Sequence, residues 1–221
     1  MGPTAVSGRT YDCTLDAERA GGLVDAGSAI RRGDLVVMPT DTVYGVAADA
    51  FNPTAVNLLL AVKGRGRDMP VPVLVAARQM ADAVVEGMSD AGRALAEAFW
   101  PGALTLVVRH TPHLAWDLGE TRGTVAVRVP DHPLALSLIE QTGPLAVSSA
   151  NRTGNPAPLT AMDARLQLGA AVAVYLDAGP ASAEALPSSI VDVTGEQPRL
   201  LRAGALDAER LRDVVPDLQS D

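Results

Sequence analysis

Between residues 16 and 32 the apolar positions Ala20, Leu23, Val24, Gly27 and Ile30 recur at helical spacing. That pattern predicts a helix, with Asp16 as its N-cap and Gly33 as its stop. Residues 35–38 are then uninterruptedly apolar, the mark of a strand covered on both faces, and Pro39 ends the run. The same reading predicts helices over 53–62, 80–85, 89–99, 132–142, 160–168 and 207–215. It predicts strands over 73–76, 104–108, 124–129, 145–148, 172–176, 190–193 and 199–202. Most strands alternate with helices, yet some follow one another directly. This favours an α/β fold on a twisted mixed sheet, parallel and antiparallel, over a purely parallel one. There is no internal repeat and no long linker. The expectation is one domain over 14–215, between a loosely docked arm (1–13) and a short tail (216–221).

Composition sharpens this picture. Apolar residues make up 48% of the 221, but aromatics only 3%. The core must therefore be built from Val, Leu, Ala and Ile, as suits layered α/β packing. No apolar run reaches the roughly 18 residues of a membrane span, and no basic segment leads into an apolar one at the N-terminus. Cys13 is the lone cysteine, and three scattered histidines offer no metal-ligand spacing. The expectation is a soluble cytoplasmic protein without a resident metal site. The net charge of −8 argues against a chain that coats nucleic acid, which usually needs a basic surface. A local cationic cleft stays compatible with it.

Four segments carry candidate chemistry. Pro39-Thr-Asp-Thr-Val-Tyr-Gly45 follows a buried strand, where open α/β sheets bind ligands. Thr40 and Thr42 offer hydroxyls, Asp41 an acceptor, Tyr44 a polar-tipped ring and Gly45 room for close approach. The same residues also suit a capped turn with Tyr44 in the core. Lys63-Gly-Arg65-Gly-Arg67 is poor helix and poor strand, so it reads as a loop with mobile or ligand-held cations. Thr124 and Arg128 share one face of a strand, while Val125 and Val127 face the core. An arginine there needs an anion, either a substrate carboxylate or a protein one such as Asp131 or Asp192. Ser148-Ser-Ala-Asn-Arg-Thr-Gly154 offers hydroxyls, an amide and backbone N–H groups, for a phosphate or for its own turn. Arg202 repeats the placement of a cation at a strand end. Neither a Walker loop nor a dinucleotide fingerprint is present.

In order, these segments together with Trp100-Pro-Gly-Ala-Leu-Thr-Leu and Ser188-Ser-Ile-Val-Asp resemble the YrdC-like threonylcarbamoyl-AMP synthases, in the short single-domain form. The resemblance implies a twisted mixed α/β sheet around a deep cationic cleft. It also implies a nucleotidyltransferase reaction, in which ATP, L-threonine and bicarbonate (or carbon dioxide) give threonylcarbamoyl-AMP and pyrophosphate. The product would pass to a separate transferase complex that modifies the tRNA adenosine beside the anticodon. By motif, Lys63 and Arg65 would be the catalytic cations, and Thr42, Arg128 and Val147 would hold threonine. Lys63, Arg65, Thr124, Ser149, Asn151 and Arg202 would contact ATP, with Mg²⁺ bound mainly through ATP. Stable nucleic-acid binding and membrane association are not expected; the alternative is a non-catalytic RNA-binding module on the same fold. Met69, Leu74 and Ala157 depart from the family pattern, which commonly has Asn, His and Ser there, and Ser148 stands where Pro is frequent.

Overall fold

A computed structural model describes residues 8–220. The first helix, α1 (Asp16–Arg32), is preceded by an edge strand, β1 (Arg9–Asp12). After α1 come β2 (Leu35–Met38), β3 (Gly45–Asp49), α2 (Pro53–Lys63), β4 (Val73–Leu74), α3 (Arg78–Val84) and α4 (Asp90–Phe99). The chain continues through β5 (Leu104–Arg109), β6 (Thr124–Arg128), α5 (Pro133–Thr142), β7 (Leu145–Ser149), α6 (Ala161–Leu168) and β8 (Val172–Asp177). It closes with β9 (Ser189–Asp192), β10 (Arg199–Arg202) and α7 (Ala208–Arg212). The strands form one ten-stranded sheet in the order β1-β8-β2-β3-β7-β4-β6-β5-β9-β10. Parallel pairs (β1–β8, β2–β8, β4–β6, β5–β9) mix with antiparallel ones (β2–β3, β3–β7, β4–β7, β5–β6, β9–β10). The expected mixed α/β sheet is what the chain builds.

Strand periodicity divides the core into two layers. Along β2, Leu35 and Val37 enter one cluster with α2, α4 and α6, while Val36 and Met38 enter the other with α1 and α5. All four are buried, which is why the run reads as continuously apolar. The helix ends follow local chemistry. Asn52 caps α2 by accepting from the backbone N–H of Thr54 and Ala55, with Pro53 at the first position. Gly33 and Gly64 end α1 and α2 in the left-handed conformation. Leu15, not Asp16, is the N-cap of α1; Asp16 and Glu18 instead sit in its first turn, where the helix dipole favours acid.

Three differences from the sequence reading matter. Within the expected arm, residues 9–12 are β1, in parallel register with β8 from Arg9↔Val174 to Asp12↔Asp177; residues 1–7 lie outside the described part. Residues 45–49, to which the sequence pattern assigns no element, are β3. Its Gly-Val-Ala-Ala-Asp composition is small rather than β-branched, and pairing on both sides, not propensity, makes it a strand. The expected tail docks: Leu218 is buried and Gln219 bridges to Arg199. Among the described residues no helix is long and apolar enough to cross a membrane.

Candidate functional site

One cleft opens on one face of the sheet. It is lined by Thr40, Thr42, Val43, Gly45, Arg65, Pro72, Leu74, Thr105, Arg128, Val147, Ser148, Ser149, Pro187, Ser188 and Arg202. These residues come from the turn after β2, the start of β3, the loop after α2, both ends of β4, the ends of β6, β7 and β10, and the starts of β5 and β9. These termini do not fall on one edge, because β4 is parallel to β6 but antiparallel to β7. Instead the register puts Gly45, Ser149, Val147, Leu74, Arg128 and Thr105 on one face of the sheet, and the cleft lies on that face.

The cationic wall is built by three guanidiniums. Arg128 is buried at the end of β6. It donates from Nε to the Gly102 carbonyl (2.9 Å), from Nη1 to Thr42 Oγ1 (3.1 Å) and from Nη2 to Asp41 Oδ1 (2.5 Å). Its protein carboxylate is thus Asp41. Of the two acids the sequence suggested, Asp131 gives only its backbone N–H to Asp41, and Asp192 accepts from Thr194. Arg202 grips the Ser188 carbonyl through Nε (3.0 Å) and Nη2 (2.6 Å), and Ser188 Oγ meets Thr105 Oγ1 at 2.8 Å. Gly204 makes this possible, because a Cβ there would lie 2.1 Å from the Pro187 carbonyl. Arg65 follows the Gly64 cap, and its buried Nε has no partner. Burial lowers the pKa of all three arginines, and Arg202 is lowered further by the charges of Arg128 and Arg65. Of these three cations only Arg128 is paired with a carboxylate, so the cleft carries excess positive charge and attracts anions.

The floor between these cations is small and partly apolar. Gly45 and Val147 lie together on it, and a Cβ on Gly45 would come within 2.7 Å of Val147 Cγ1. Thr40 Oγ1 donates to the Val43 carbonyl (2.7 Å) and meets Thr42 Oγ1 at 3.0 Å, which fixes the turn that presents Thr42.

The structure brings Thr42, Arg65, Arg128, Val147, Ser149 and Arg202 to this cleft. It puts Lys63, Thr124 and Asn151 elsewhere. Lys63 is not a loop cation but the last residue of α2, 1% exposed. Its ammonium is enclosed by the Ser149 and Asn151 carbonyls, Ser149 Oγ and Asn151 Oδ1. Asn151 is spent on that cage and on the carbonyls of Arg152 and Asn155. Thr124 sits at the far end of β6, roughly 13 Å along the strand from Arg128, with its hydroxyl on the Thr121 carbonyl (2.8 Å). Arg67 is an exposed partner of Asp117, and Tyr44 is a core residue whose hydroxyl donates to the Gly179 carbonyl (2.6 Å). Among the departures, Leu74 lines the cleft, Met69 is exposed, and Ala157 lies in a separate surface groove beside Leu166. Thr105 and Ser188 went unassigned by sequence. The available signal for Thr105 was a lone hydroxyl inside a buried apolar run.

Lys63 carries a pH prediction. Burial, with a smaller push from Arg65, draws its pKa down to about 7. A folded value below the unfolded one makes the neutral form the stabilising one. That stability is fully present above the unfolded value and is lost as pH falls through about 7. Thermal melts should therefore show wild-type stability dropping as pH falls from about 10 towards 7 and levelling off below. Lys63→Met should flatten that drop; an unchanged pH slope in the variant would refute the assignment.

Fold and site together define an α/β protein with a cationic, hydroxyl-lined cleft on one face of a mixed sheet, built for a small polyanionic ligand set. A family model covering Sua5, YciO and YrdC proteins, described as "Telomere recombination", matches residues 28–204, and the chain belongs to that family. A Mycobacterium tuberculosis H37Rv protein is 54% identical over 206 residues, which span 93% of this chain and 94% of that one. The Bacillus subtilis protein named threonylcarbamoyl-AMP synthase is 35% identical over 90% of this chain, which spans 58% of its length. The crystal structure of Pyrococcus abyssi Sua5 complexed with L-threonine superposes with a TM-score of 0.85 at 33% identity, covering 90% of this chain and 58% of that one.

Proposed function

We propose that this chain is a threonylcarbamoyl-AMP synthase, joining ATP, L-threonine and bicarbonate or carbon dioxide into threonylcarbamoyl-AMP and pyrophosphate. The observation that carries this reading is the cleft itself: Arg128 with Thr42, the further cations Arg65 and Arg202, and a small floor of Gly45 and Val147. The name of the Bacillus relative and the threonine held by the Pyrococcus protein support it.

Each part of the cleft has a task in that reaction. Arg128 pairs with the amino-acid carboxylate, Thr42 and Val147 close around its side chain, and Ser149 faces the nucleotide. An oxygen of the N-carboxylated threonine bonds to the α-phosphorus of ATP as the bond to pyrophosphate breaks. The departing charge spreads over Arg65, Arg202 and the magnesium carried by ATP. Among the described residues no group of three or more His, Cys, Asp or Glu side chains could hold a metal, so Mg²⁺ would enter on the phosphates. Lys63 and Asn151 serve by fixing the segment that presents Ser149. The product goes to a cytoplasmic transferase complex that modifies tRNA. The acidic chain needs no lasting grip on nucleic acid for that.

The test is pyrophosphate release from ATP, Mg²⁺ and bicarbonate, with L-threonine, with L-serine, or with neither. Release that requires both threonine and bicarbonate is expected. Release independent of threonine, or none from folded protein, would overturn the reading.

A further inference from the structure

We propose that Asp41 is a positioning residue for the amino-acid subsite of the cleft, acting through Arg128 rather than on the ligand. The inference rests on the reading above, in which Arg128 receives the amino-acid carboxylate.

Asp41 stands directly behind the cleft wall, not in its lining. Its side chain is 15% exposed against 7% for Arg128, so the pair is held largely away from water. One oxygen, Oδ1, takes both Arg128 Nη2 and the backbone N–H of Asp131 (3.0 Å). A single carboxylate oxygen therefore ties the turn after β2 to the turn between β6 and α5. Those are the two segments that must stay in register for Thr42 and Arg128 to face one ligand.

The hydrogen-bond count makes the consequence specific. A guanidinium has five N–H donors. Three are taken, by Gly102, Thr42 and Asp41. The two that remain lie one on each terminal nitrogen, and a bidentate carboxylate uses two. Without Asp41, Nη2 loses its fixed partner, the guanidinium plane can turn about Nε, and the buried charge has no counter-ion. Among the described residues neither Arg65 nor Arg202 has an ion-pair partner, so Asp41 compensates Arg128 alone and leaves the other two charges for the phosphates.

The test is direct binding of L-threonine and of ATP, measured by calorimetry on wild type, Asp41→Asn, Asp41→Ala and Arg128→Ala. Asp41→Asn keeps an oxygen acceptor for both N–H groups and so preserves the turn; it removes only the charge. Threonine affinity should fall about tenfold in Asp41→Asn and about ten- to hundredfold in Asp41→Ala. ATP affinity should stay within about twofold, as expected for a contact confined to one subsite. A parallel loss of both ligands would mark a merely structural residue and overturn the proposal. Tighter threonine binding in Asp41→Asn would also overturn it, by making Asp41 a competitor for Arg128. If Arg128→Ala leaves threonine binding intact, the subsite reading fails and the proposal with it. If only the Asp41 variants are silent, the proposal alone fails.

Discussion

Arg65→Ala is expected to lower pyrophosphate release by about a hundred- to a thousandfold, the usual cost of deleting one charge-stabilising donor at a reacting centre. The melting temperature should not fall. Arg65 lines the cleft, forms no ion pair among the described residues, and buries an Nε that has no partner. Its burial pulls the pKa down, so the folded protein holds this charge at a cost. A group that costs stability and meets no protein partner is one whose partner is the ligand. Alanine removes that cost while leaving the Gly64 cap and the backbone bond from Arg65 N–H to Leu60 intact. Steady-state release and a thermal melt on the same preparation check both halves. Near-normal turnover in folded Arg65→Ala would exclude a role at the phosphates, and lost turnover with a lower melting temperature would make the residue structural.

Much of this was legible in the sequence because burial writes itself into period. The fully apolar 35–38 run could be little other than a two-sided strand, and Asn52-Pro53 with Gly64 bracket α2 in side-chain chemistry. β3 was invisible because its residues are small, and its partners, β2 and β7, are far apart in sequence. Motif spacing grouped Thr42, Arg65 and Arg128, which the fold brings to one cleft, yet it could not tell a cation facing the cleft from one facing inward. Lys63 and Arg65 are two residues apart, but Lys63 is still helical and turns under the chain. Gly64 then takes a left-handed conformation (φ 67°) and sends Arg65 out to the ligand side. Asp41 shows the opposite failure. The sequence offered Asp131 or Asp192 as the acid for Arg128. The turn after β2 instead reaches across the sheet face to the end of β6, a separation of 87 residues in the chain.

Arg128→Ala should have the second large effect, and its signature is selectivity. Losing the guanidinium removes the carboxylate's partner and the donor to Thr42, so threonine binding should weaken by about a hundredfold or more. Asp41 would then be left without its counter-ion, and breaking a buried pair from one side typically costs about 3–5 kcal/mol. The variant should therefore melt earlier than wild type, and binding must be read at a temperature where it is folded. Arg128→Lys separates the two losses: it restores a counter-ion for Asp41 but not the planar fork. Stability should recover in the lysine variant while threonine affinity stays low. ATP affinity should change little in either, because Arg65 and Arg202 remain in the cleft and Arg202 even loses a neighbouring like charge. If ATP affinity falls more than threonine affinity, the two subsites of the cleft have been assigned the wrong way round.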